Sequence, residues 1–482
     1  MISFFASVAA LLLGYLLYSK FVERVFGIEP GRKTPAITLR DNIDYVPMPG
    51  WKIFLVQFLN IAGLGPIFGA VAGAMWGPSA FLWIVLGTIF AGGVHDYLSG
   101  MLSVRHKGES ITEITGYYLG DSMKQFMRVF TILLLIMVGA VFIMGPAKIL
   151  YGMTGGFGGM GLWVWGILLY YFLSTILPID KLIGRIYPLF GFALLFMAVG
   201  IVVVMVAKGV QIPEMTFASL ANQHQDPEGF PLFPMLFVTI ACGAISGFHA
   251  SQSPLMARCM TNERQGRSIF YGTMVTEGIL ALIWAAISMS FFGGVGALNE
   301  VMVQQQGNAA FVVSEISNTF LGKVGGALAL LGVVAAPITS GDTAFRSARL
   351  IIADFLHSKQ SSLKNRLLIS LPLFVVGYGL TLIDFGIVWR YFAWSNQTLA
   401  TITLWVVTVF LIKEGKQFWI SLVPAVFMSA VVTTYILLAP EGFNLPNEIA
   451  YTVGIGVASL LLLATLLRVY RKKAKVEVEL AD

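Results

Sequence analysis

Ala241–Met256 reads ACGAISGFHASQSPLM and sits inside a hydrophobic segment running from about Phe233 to Leu255. The segment is long enough to cross a bilayer, yet its centre reads like a loop. Gly243, Ser246, Gly247, His249, Ser251, Gln252, Ser253 and Pro254 crowd into twelve residues. This density predicts a helix that breaks at mid-membrane, where the freed backbone groups must face protein, water, an ion or a solute. The plainer reading is a Gly/Ser packing face with one satisfied histidine. It accounts for Gly and Ser but not for His249, Gln252 and Pro254 together.

Asn60–Gly69, NIAGLGPIFG, repeats the pattern inside the apolar run Ile53–Ala74, with Gly63, Gly65, Pro66 and Gly69 interrupting the span. Two Gly/Pro-broken spans about 180 residues apart point to the site of an inverted-repeat secondary transporter.

The composition agrees. The 482 residues are 57% hydrophobic and 12% charged, against roughly 25% charged in soluble domains, and the mean hydropathy is +0.80. This is an all-α polytopic membrane protein. The net charge of +6 does not imply a nucleic-acid partner, because in a membrane protein the location of charge matters more than its sum. Cys242 and Cys259 form no disulfide framework and no CxxC pair, and the five histidines show no zinc-ligand spacing. Neither a metal nor a cofactor is expected. There is no Walker lysine motif, so ATP is not the expected driving force.

Thirteen apolar runs follow one another: Ile2–Tyr18, Ile53–Ala74, Ala80–Val104, Met127–Leu150, Gly161–Leu177, Ile186–Val206, Phe233–Leu255, Ile269–Phe292, Val324–Phe355, Leu367–Ile383, Phe385–Ile412, Trp419–Leu438 and Ile449–Val469. The first has no preceding cation and no small-residue cleavage site, so it reads as an uncleaved span with its N-terminus outside. Counted from there, 27 of the 31 Lys and Arg residues fall on the inner side; the exceptions are Lys148, Lys208, Lys323 and Arg390. That asymmetry fits an outside N-terminus and a cytoplasmic C-terminus.

The expected organisation is an extra first span (1–19), a cytoplasmic linker (20–52), a first five-helix repeat (53–206), an outer loop (207–232), a second, inverted five-helix repeat (233–412), and two added helices with a basic tail (413–482). Each repeat opens with a broken helix, the five-plus-five arrangement of LeuT/APC-like transporters. A short helix is expected near Asn308–Thr319, and the basic cluster that opens the tail reads as an anchor on membrane lipid.

Ionisable groups at membrane depth are functional candidates because burying them is expensive. His95–Asp96 in the third span can bind and release protons near neutral pH; the alternative is a structural cap. His249, with Ser246, Ser251 and Gln252, is the first candidate for a proton or substrate contact. Gly63 and Gly65 mark a break whose carbonyls suit a cation and whose half-helix N-termini suit a carboxylate. In the ninth span Thr339, Ser340, Asp342 and Thr343 offer oxygens for a hard cation or a proton, and Asp342 can pair with Arg346 at i+4. In the eleventh, Ser395, Asn396 and Gln397 can bond amides or carboxylates, while Arg390 either draws an anion or snorkels outward. Glu277, alone in the eighth span, is a lesser candidate.

The strings FLNIAGLGPIFGAVAGAMWG, GTIFAGGVHDYLSGMLSVRHKGESI, TIACGAISGFHASQSP, SGDTAFRSARLIIAD and VWRYFAWSNQTLA resemble the carbon starvation protein A family, from about Val46 to Ile412. The resemblance implies an inner-membrane secondary transporter taking up peptides during carbon starvation, with relatives that import pyruvate with protons. The expected cargo is a small molecule, a short peptide first and pyruvate second. A proton is the expected coupling ion, with sodium open. The alternatives are a nutrient-sensing membrane receptor and a sodium-coupled symporter of an amino acid or carboxylate. No enzyme constellation of metal or nucleophile is visible.

Overall fold

The computed structural model describes the backbone of residues 1–41, 44–176, 179–358, 360 and 362–479, and their side chains except those of 176–188, 323–331 and 471–479. The charge groups expected at 181–185, Lys323 and the tail beyond Tyr470 fall outside the described side chains.

Every regular element among the described residues is helical. The chain runs through α1 (Ile2–Phe26), broken α2 (α2a, Gly50–Ile61; α2b, Gly65–Trp76), α3 (Ser79–Arg105) and α4 (Asp121–Met153). Next come α5 (Gly159–Ile176), α6 (Ile179–Ala207) and broken α7 (α7a, Leu232–Leu236 and Phe237–Thr239; α7b, Gly247–Ala257). The remainder are α8 (Glu263–Phe291), α9 (Ala309–Phe355), α10 (Leu363–Thr381), α11 (Phe385–Lys413), α12 (Trp419–Leu438) and α13 (Asn447–Glu479). Among the described residues nine helices are long and apolar enough to cross a membrane, and the two arms of α2, bent by 55°, make a tenth. With α5, α7 and α9 these are the thirteen segments that hydropathy marks out.

Local chemistry sets the ends. Ser110 caps the short helix Ile111–Leu119 by accepting from Glu113 N–H, in the S-x-x-E pattern of a capping box. Asp384 does the same for α11 through Ile387 N–H. The segment expected as a short helix near Asn308–Thr319 is the first arm of α9, divided from the spanning arm at Gly322, whose φ of +65° suits glycine.

α2–α6 and α7–α11 form two sets of five, each opened by a broken helix. α7b packs against α3, α11 and α2a, while α9 lies along α4 and α6. The linker after α1 is tied down. Glu29 N–H and Arg105 both donate to the buried Glu263 carboxylate, Asn262 donates to Pro30 O (2.9 Å), and Met48 N–H donates to Cys259 O (3.1 Å).

The second break falls earlier than its polar residues suggest. Ile240–Ser246 is unwound, but His249, Ser251, Gln252 and Pro254 lie on the regular helix α7b. The Ser hydroxyls there bond back to their own helix, Ser251 to Phe248 O (2.6 Å) and Ser253 to His249 O (3.0 Å), so they cost the helix little.

Candidate substrate and coupling site

The two breaks meet, and glycine lets them. A Cβ on Gly65 would stand 2.3 Å from Cys242 Sγ, and one on Gly63 would stand 2.7 Å from the Phe142 ring and 3.2 Å from Ser340 Oγ. A larger residue at Gly65 would push against the second break, and one at Gly63 against α4 and α9.

The freed backbone groups find protein partners, as an apolar setting requires. Asn396 on α11 accepts from Phe248 N–H (2.7 Å) and exchanges hydrogen bonds with Ser246 Oγ, so it caps α7b from another helix. Gln397 donates to Phe237 O (3.3 Å), Trp83 to Ile240 O (3.0 Å), Thr88 to Gly243 O (3.0 Å), and Ser340 to Leu59 O (3.0 Å). Asn396 and Gln397 therefore hold the break together. Ser395 is buried beside them.

His95, Asp96 and His249 come together. Asp96 Oδ1 lies 2.7 Å from His95 Nδ1, and Asp96 Oδ2 lies 2.8 Å from His249 Nδ1. On its other edge, His249 Nε2 lies 3.3 Å from Glu277 Oε2 on α8. That approach lacks hydrogen-bond geometry: His249 Nε2 and both Glu277 oxygens have no hydrogen-bond partner. All four side chains are 0% exposed. A carboxylate between two imidazoles gives one proton several holders, and the tautomers set which nitrogen donates. Glu277, a lone acid in the sequence, stands at the end of this chain. Cys242 joins it from the break, with its Sγ, a His249 nitrogen and a Glu277 oxygen within 4.8 Å of one another. No sequence spacing signals that grouping, because the three residues come from the break, α7b and α8.

The ninth-span oxygens are spent differently. Thr339 donates to Ala336 O (2.7 Å), and Thr343 donates to Thr339 O (3.3 Å) and Ser340 O (3.0 Å). Asp342 is buried, and Arg346 donates to Ser174 O (3.2 Å). Among the described residues no hydrogen bond joins this cluster to the histidines. Arg390 lies outside the site, 48% exposed and 3.4 Å from Glu441.

Two further buried polar residues stand on the arm that leads into the first break. Gln57 and Asn60, one turn apart on α2a, are 0% exposed, and both the N and O of each side-chain amide lack a hydrogen-bond partner. Gln252 Oε1 on α7b is likewise unpartnered, although its amide N donates to Ser251 Oγ (2.9 Å). The signal was present in WKIFLVQFLNI, where two amides at i and i+3 interrupt an apolar helix.

The chain is 42% identical over 349 residues to an uncharacterized membrane protein of Haemophilus influenzae, covering 63% of this chain and 94% of that protein. It is 26% identical to the Campylobacter jejuni peptide transporter CstA, covering 94% of this chain and 83% of that one. It is 28% identical to the Escherichia coli pyruvate/proton symporter BtsT over 58% of this chain and 48% of that protein. Among solved structures, MhsT in complex with L-phenylalanine superposes with a TM-score of 0.58 at 15% identity, covering 86% of this chain and 98% of that chain. That likeness is one of fold, the LeuT-type five-plus-five arrangement. The relatives with a named activity are transporters, which favours a secondary transporter acting on a small molecule over a receptor. The model of the family described as carbon starvation protein CstA matches residues 1–157, 157–325 and 310–435, and the chain belongs to that family of multi-pass membrane transporters.

Proposed function

We propose that this transporter imports a small carboxylate-bearing nutrient, a short peptide in the first place and pyruvate in the second, by proton-coupled alternating access around the breaks of α2 and α7. The carrying observation is the bond between Asp96 and His249, which ties the broken helix of the second set to a helix of the first. Placing or removing one proton there changes the link between the parts that must move against each other. Gln57, Asn60 and Gln252 supply the amide groups that meet the cargo, since a buried amide left unpaired costs free energy that a bound solute restores. The setting is the inner membrane with the N-terminus outside, as the charge asymmetry indicates, and the basic tail lies at the lipid surface.

The test is uptake of labelled dipeptide and of pyruvate into proteoliposomes, with pH and sodium gradients imposed separately. Uptake driven by the pH gradient alone supports the reading; uptake of neither solute under either gradient refutes it. A sodium-coupled reading has one observation in its favour: Ser340 Oγ on α9 reaches Leu59 O in the last turn of α2a, beside the first break, which groups oxygens of the kind hard cations take. Uptake driven only by sodium would select it.

A further inference from the structure

We propose that Cys242, His249 and Glu277 form a binding site for one borderline divalent cation of the d-block, of which Zn2+ is the type. A thiol, an imidazole and a carboxylate supply the sulfur, nitrogen and oxygen donors that such ions select. Calcium and magnesium, which take oxygen ligands, do not suit the sulfur. The three ligand atoms lie within 4.8 Å of one another, and all three residues are buried.

A second observation is independent of that proximity. His249 Nε2 and both Glu277 oxygens are fully buried and have no hydrogen-bond partner. Nε2 and Oε2 stand 3.3 Å apart, close enough to pair by charge but not aligned as a hydrogen bond. Two ligands about 2.1 Å from one ion at the tetrahedral angle stand roughly 3.4 Å apart, so this pair already has the spacing of a tetrahedral edge. Cys242 completes the set from the unwound stretch Ile240–Ser246, where its thiol donates to Ser246 Oγ (3.5 Å) and accepts from Asn396 Nδ2 (3.5 Å), weak contacts that an ion would replace.

The surroundings are those of a ligating histidine. Asp96 Oδ2 holds His249 Nδ1 at 2.8 Å, and Asp96 is itself held by His95. A carboxylate on the far nitrogen fixes the ring and leaves Nε2 for the ion. Three protein ligands leave a fourth position open to water or a solute. One ion bound here ties the break, α7b and α8 together, so occupancy arrests exchange. The arrest, though not the binding, rests on the transport reading above.

The test is titration of the purified protein with Co2+, a spectroscopic stand-in for Zn2+. The expected result is one Co2+ per chain with tetrahedral d–d bands and a thiolate-to-cobalt charge-transfer band, displaced by Zn2+. C242S should remove the charge-transfer band and E277Q should keep it, and each should weaken Zn2+ binding about tenfold or more. The wild-type spectrum needs no substitution, so a variant that fails to fold does not rescue or sink the site. Absence of the charge-transfer band in the wild-type protein overturns the proposal, as do C242S and E277Q that bind Zn2+ as tightly as the parent. A protein that gives the cobalt spectrum yet moves no solute supports the site and refutes the transport reading. Zn2+ that fills the site and leaves uptake unchanged refutes the arrest.

Discussion

His249 on α7b and Asp96 on α3 are 153 residues apart in the chain, and their side chains meet at 2.8 Å. Both are completely buried. The bond joins a half-helix that ends at a break to an unbroken helix of the other set. Removing one partner of such a buried pair is costly because the other charge stays behind. The contact is therefore sensitive to protonation and placed where a change in it is felt by both halves of the fold.

Asp96→Asn keeps the shape and removes the charge that two imidazoles share. Accumulation of labelled substrate against its gradient should fall to background, while exchange of substrate across the membrane with no gradient should persist at a reduced rate. His249→Gln should behave the same way. Gradient-driven accumulation at the wild-type level by both variants would remove this contact from the coupling step.

Gly65→Ala places a methyl 2.3 Å from Cys242 Sγ and 2.4 Å from its Cβ. Overpacking of this kind costs about 1–3 kcal/mol, read as a lower unfolding temperature in detergent. Cys242→Gly removes both clashing atoms, so the double variant should recover part of the loss. Strictly additive effects would show that the two breaks do not press on each other here.

Both breaks were legible because Gly and Pro interrupt apolar runs at Gly63–Gly69 and Gly243–Pro254. The second reads as longer in sequence than it is: hydroxyls at Ser251 and Ser253 look like loop chemistry, yet they bond to carbonyls about one turn back and leave the helix intact. Asn396 and Gln397 were legible as polar groups at depth but not as braces, since the backbone groups they meet are freed only by folding. Glu277 carried no partner in sequence because His249 reaches it across space. Charge pairs between distant spans leave no periodic trace, whereas capping, as at Ser110 and Asp384, is local and readable.

Asn396→Ala removes the acceptor of Phe248 N–H and the partner of Ser246. Loss of an N-cap costs about 1 kcal/mol, and a donor left unpaired in a buried site adds about 1–3 kcal/mol. The unfolding temperature should fall, and amide exchange at Phe248 should quicken more than at residues further along α7b. Unchanged exchange there would mean that the break does not depend on α11.

Glu214 gathers the Met1 amino group and the N–H groups of Ile2 and Ser3 at the start of α1. The bond from the Met1 amino group first, and then those from Ser3, hold its carboxyl down from the ordinary 4.5 to about 2. A lowered value in the folded state means that the stabilisation is complete above the unfolded value and lost as pH falls from about 4.5 toward 2. The carboxylate is 39% exposed, so solvent screens the pair and the contribution is at most about 1 kcal/mol. Glu214→Gln should lower the unfolding temperature slightly at pH 7, and the difference from wild type should vanish near pH 2. A difference that stays constant across that range would refute the assignment.

Gln57 and Asn60 present four buried amide atoms without partners, and each such atom costs free energy in the unliganded protein. Replacing Gln57 by Met and Asn60 by Leu removes that cost while roughly keeping volume. The unliganded variants should unfold at the same or a higher temperature than wild type, the reverse of an ordinary core substitution. Uptake should suffer at the same time: a site that has lost a hydrogen bond to its cargo should show a KM about tenfold higher or more. The two readouts moving in opposite directions would place these amides against the cargo. A fall in unfolding temperature with unchanged KM would instead make them structural groups.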